Sequence, residues 1–124
     1  MIPLLLVAAT LAAPAPKTVT RSANGSTVTI APNQLLRIKL DESSDGGFRW
    51  ETTVRPDPAV LTSRRTIRKA PSCTGQVCPV GGSDTVFFRY VGHAAGRTTL
   101  RLGEFGPGRP AKPSVRFRLT VRVR

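Results

Sequence analysis

The chain has 124 residues and a formal net charge of +12, from 19 Lys and Arg against 7 Asp and Glu, with 11 Gly and 11 Pro and an aromatic share of 6%. That length holds one domain of about 100–150 residues and little else. Turn-forming residues this frequent argue against long helices and for many short strands.

The opening MIPLLLVAATLAAPAPK carries no charged side chain before Lys17. Its apolar run ends near Ala13, short of the about 20 residues that a membrane-spanning helix needs. It reads as a signal peptide over residues 1–15, with Ala12, Ala13 and Ala15 as small residues at which cleavage can occur. A buried N-terminal strand is the competing reading. The signal reading implies an exported chain, periplasmic or secreted, without a membrane span. Its mature domain, residues 16–124, keeps the whole positive charge.

Beyond Lys17, apolar and polar residues alternate with a period of two, the mark of half-buried strands. In STVTIA, Val28 and Ile30 share a face; in LLRIKL, Leu36, Ile38 and Leu40 oppose Arg37 and Lys39. GFRWETTV sets Phe48, Trp50, Thr52 and Val54 against Arg49, Glu51 and Thr53, and RPDP then stops the run, because proline cannot sit in a central ladder. AVLTSRRTIRKA is open to a short helix, but Thr62, Thr66 and Ile67 favour an extended chain. DTVFFRYVG and RTTLRLGEF are joined by HAAG, whose Gly96 suits a hairpin turn. SVRFRLTVRVR places Val115, Phe117, Leu119, Val121 and Val123 on one face and Arg116, Arg118 and Arg122 on the other. About seven such strands without a long helix predict an all-β protein, an antiparallel sandwich or a small barrel, with Trp50 filling space between its layers.

Groups able to do covalent chemistry are scarce. His93 stands in a turn without a neighbouring nucleophile, the seven acids form no recognisable carboxylate pair, and no phosphate loop, zinc signature or dinucleotide fingerprint is present. The expectation is a binding protein with no catalytic residue, no cofactor and no metal. In an exported chain Cys73 and Cys78 read as a disulfide closing one loop. A single His beside two thiolates does not complete a zinc shell.

The net charge has two readings: a solvated basic surface, or a field that attracts an anionic partner. Three loops rich in Gly, Pro, Ser or Asp have two readings as well. ESSDGGFRW, SCTGQVCPVGGSD and GEFGPGRPAKPS are either plain connections or, gathered at one end, a multi-loop binding edge.

The order SSDGGFRWE, PVGGSDTVFFRYVGHAAGRTTLRL, a Gly-Pro loop and VRFRLTVRV resembles the chagasin family of cysteine-protease inhibitors across essentially the whole mature chain. In that family the first loop reads N-P-T-T-G followed by an aromatic, one residue and Trp. Its second loop reads G-x-G-G, and its third R-P-W or R-P-F. The first motif falls on Ser43, Ser44, Asp45, Gly46, Gly47, Phe48 and Trp50, with Gly47, Phe48 and Trp50 matching. The second falls on Pro79, Val80, Gly81 and Gly82, where the last two glycines match. The third falls on Gly106, Pro107 and Gly108 or, with a longer loop, on Arg109, Pro110 and Ala111; either way its aromatic is missing. The resemblance implies an immunoglobulin-like sandwich and a monomer. Its three loops would enter the cleft of a papain-like cysteine protease, a protein partner and not a nucleic acid. The alternative is an exported cationic sandwich of the same kind that binds an anionic polymer or envelope partner without inhibiting anything.

Overall fold

The computed structural model describes residues 14–71, 83–108 and 110–124. Eight strands run in chain order through these residues: β1 (Lys17–Val19), β2 (Thr27–Ile30), β3 (Leu35–Glu42), β4 (Arg49–Val54), β5 (Leu61–Lys69), β6 (Asp84–Gly92), β7 (Gly96–Phe105) and β8 (Val115–Val123). They form two four-stranded sheets, ordered β1-β3-β6-β5 and β2-β8-β7-β4. The protein is an all-β sandwich. No helix among the described residues is long and apolar enough to cross a membrane.

The core follows from the alternation. Leu36, Ile38 and Leu40 of β3 and Val86, Phe88 and Tyr90 of β6 face Leu100 and Leu102 of β7 and Phe117, Leu119, Val121 and Val123 of β8, all buried. Segment 61–69 is extended, as its β-branched residues favour. Neither sheet is wholly antiparallel. The short strand β1 runs parallel to β3, and β2 runs parallel to β8, each at a sheet edge. Such pairing needs a long connection, which the intervening segments supply.

Two local expectations change. HAAG is not a hairpin: β6 and β7 lie in different sheets, so the segment carries the chain from one layer to the other. Both strands bear an inward apolar row, and placing them in opposite layers sets those rows face to face. At the crossing the His93 amide donates to the Val60 carbonyl (2.8 Å), and Gly96 passes so close to Val60 that a Cβ there would lie 2.9 Å from Cγ2. In β4 the inward face ends early, because the register with β7 shifts between Thr52 and Val54, leaving Val54 45% exposed.

Tyr90 ties the layers at one side. Its ring is buried in the β6 row, and its hydroxyl bonds the Thr52 side chain of β4. Burial raises its pKa from 10.0 to about 12, partly offset by the Thr52 bond. Because the folded value lies above the unfolded one, this contribution to stability is complete below pH 10 and is lost as pH rises to about 12. About 2–3 kcal/mol should disappear across that window. Tyr90 is the chain's one tyrosine, so phenolate absorbance reports it alone. We expect titration near pH 12 in the folded protein and near 10 in urea; equal midpoints would mean that the phenol is hydrated in the fold.

Candidate functional site: a loop-bearing end

Strand register brings the expected loops to one end. Glu42 pairs with Asp84 and Lys69 with Thr85, so the β3–β4 loop and the β5–β6 connection leave one sheet side by side. In the other sheet Arg49 pairs with Phe105 and Glu104 with Val115, which puts the β7–β8 loop next to the β3–β4 loop. Pro79, Val80, Gly81, Gly82 and Arg109 lie outside the described residues, as do Cys73 and Cys78.

The β3–β4 loop is compact. Ser44–Gly46 form one 3-10 turn, in which the Gly46 and Phe48 amides donate to the Ser43 carbonyl and the Gly47 amide to that of Ser44, each at 3.1 Å. Gly47 closes the turn at φ 78°, a left-handed conformation that glycine adopts without a Cβ clash. Of the two adjacent glycines only Gly47 needs that freedom; Gly46 lies in the turn itself and serves by its small size. Ser44 and Asp45 are exposed at the tip.

This loop rests on the β7–β8 loop. A Cβ on Gly47 would lie 3.2 Å from Cβ of Pro107, and one on Gly46 or Gly106 would lie 3.2 or 3.3 Å from the Phe48 ring. The half-buried ring is therefore gripped by a glycine from each loop. Beside it a hollow of about 590 Å³ opens between Gly47, Arg49, Pro107 and Pro110. The sequence motifs thus brought together Ser43, Ser44, Asp45, Gly46, Gly47 and Phe48 with Gly106, Pro107 and Pro110, all in one small region.

Beneath the tip lies a polar clasp that sequence reasoning missed. Glu42, 3% exposed at the end of β3, accepts the Trp50 amide at 2.7 Å through Oε2 and pairs with Arg68 Nε of β5 at 3.2 Å through Oε1. Arg68 Nη2 donates to the Trp50 carbonyl (2.8 Å), and the Trp50 indole Nε1 to the Asp41 carbonyl (2.8 Å). Glu104, also buried, accepts the Ser43 amide at 3.5 Å. Trp50 therefore joins the two sheets at the root of the loop, by its indole and by its backbone.

Neither a family model nor a curated protein matches this chain. Solved structures do. The cysteine protease inhibitor EhICP2 from Entamoeba histolytica superposes with a TM-score of 0.71 at 19% identity, covering 89% of this chain and 96% of its own. Amebosin superposes with 0.68 at 21% identity, covering 88% and 98%. PbICP-C, solved in complex with falcipain-2, gives 0.62 at 14% identity, covering 88% and 91%. At these identities the likeness establishes the fold, and that fold is chagasin-like.

Proposed function

We propose that the protein inhibits papain-like cysteine proteases by inserting its loop-bearing end into their active-site cleft. The observation that carries this reading is the joined pair of loops: a narrow, internally bonded tip at Ser44–Gly46 braced against Pro107 and rooted on Trp50. An inhibitor of such a cleft has to lie over the reactive thiolate without offering a bond in geometry for attack. A tip already closed on itself loses little conformational freedom on binding, and that loss otherwise costs about 0.5–1.5 kcal/mol for each immobilised side chain. The solved structures of like fold include a protein named as a cysteine protease inhibitor and one captured with falcipain-2. In this reading the protein is not an enzyme, and it acts as an exported monomer. Removal of residues 1–15 would leave every strand among the described residues intact, since β1 starts at Lys17.

Titration of papain and of a cathepsin L-like protease with the mature protein tests the reading, with competitive inhibition expected. Ser44→Trp and Asp45→Trp add bulk at the exposed tip, and each should weaken inhibition about 10–100-fold. The unfolding midpoint should barely move, as exposed substitutions usually stay within about 0.5 kcal/mol. Ala94→Trp, exposed at the opposite end, should leave inhibition unchanged. Absence of inhibition at micromolar protein, or an equal loss from Ala94→Trp, overturns the assignment.

A further inference from the structure

The outer face of the β2-β8-β7-β4 sheet carries a two-row ladder of arginines. Antiparallel register sets Arg97 directly opposite Arg122 and Arg101 directly opposite Arg118; Thr99 and Thr120 form the rung between, and Arg116 stands opposite Gly103. All five arginines are exposed. Like charges facing each other across strands destabilise a sheet, so this arrangement costs the fold something and contributes nothing to its packing.

The ladder is not neutralised within the described residues. The one ion pair among them is Arg68–Glu42, and none of the five guanidiniums donates a hydrogen bond there. The opposite sheet differs. On its outer face the Arg37 Nε donates to Thr18 Oγ1 (3.1 Å), Arg89 Nη1 to the Arg65 carbonyl (3.4 Å), and Lys69 sits 5.7 Å above the Phe87 ring. Those cations are engaged with their own chain; the ladder's donors point to solvent.

We infer that the β7–β8 face binds a linear polysaccharide bearing oxyanion esters, independently of the loop-bearing end. Arg116 and Arg122 are six residues apart, about 20 Å along the strand, while the two rows are about 4.8 Å apart. A long, narrow strip of charge fits a chain laid along it better than a plane of headgroups. Guanidinium forks bond sulfate and phosphate oxygens in pairs, which a diffuse lysine field does not. The Thr99 and Thr120 hydroxyls, 3.1 Å apart in the middle rung, can turn outward to sugar hydroxyls. The one aromatic on the outward rows of β7 and β8 is Phe105 at the loop-bearing end of β7, half-buried with its ring against Gly103, so the strip lacks the series of platforms on which successive nucleobases stack.

Heparin is the probe, with uncharged dextran as control, and binding is measured by calorimetry across a salt series. Wild type should bind heparin and not dextran. Arg101→Gln with Arg118→Gln should weaken binding about 10-fold near physiological salt and lower the log–log salt slope by about 2. Arg37→Gln with Arg89→Gln on the opposite sheet should change it little. The ladder variant should unfold at the same temperature as wild type or higher, and should inhibit papain as wild type does. Equal losses from both double variants would reduce the effect to net charge and overturn the inference. So would tighter binding to phosphatidylserine vesicles or to a single-stranded oligonucleotide than to heparin, or no heparin binding at all.

Discussion

Replacing Trp50 with Ala should cost about 3–5 kcal/mol of folding stability, the usual range when a large aromatic leaves a packed core. The ring is 2% exposed and is the largest fully buried side chain. Its loss opens a void at the loop-bearing end and strips the Asp41 carbonyl of its indole donor. Trp50→Phe refills most of the volume, keeps both backbone bonds of the clasp and should cost markedly less. Urea unfolding followed by far-UV circular dichroism measures both, since the variants have lost the one fluorescent indole. A cost below about 1 kcal/mol for Trp50→Ala would mean that the surroundings collapse onto the space and that the ring does not hold the layers apart.

Period-two alternation identified the inward rows of β2, β3 and β8 residue by residue, because each strand has one face on the core and one in water. Alternation specifies a face and says nothing of which sheet a strand joins. Hence β6 and β7 looked like a hairpin although they lie in opposite layers, and the parallel pairings of β1 and β2 left no local trace. The motif order did locate the loop-bearing end, since glycine and proline at a turn report backbone geometry directly.

The clasp was legible in principle. Glu42 continues the inward row Leu36, Ile38, Leu40, and Glu104 continues Leu100, Leu102. A carboxylate in step with buried positions at a strand's end signals a buried acid that needs donors. The donors were beyond reach of any local pattern, since Arg68 lies 26 positions from Glu42 and meets it only because β3 and β5 flank β6.

Those donors make Glu42 the position where fold and proposed function meet. Glu42→Ala removes the acceptor of the Trp50 amide and strips Arg68 of its carboxylate, leaving it the Trp50 carbonyl as its bonded partner. Stripping one partner from a buried ion pair costs about 3–5 kcal/mol. Arg68 is 28% exposed and keeps some hydration, so about 2–4 kcal/mol is expected here. Glu42→Gln retains an oxygen for the Trp50 amide and should cost less. The clasp sits under the tip, so Glu42→Ala should also weaken inhibition of papain at a temperature where the variant is still folded. The mechanism would be a looser Ser44–Gly46 turn, not a lost contact. Hydrogen exchange at the Gly46, Gly47 and Phe48 amides separates the two, because faster exchange accompanies loosening. An Ala variant as stable as wild type would show that the loop stands on Trp50 and Pro107 alone. A variant that is less stable but equally inhibitory would show that the clasp serves the sandwich and not the tip.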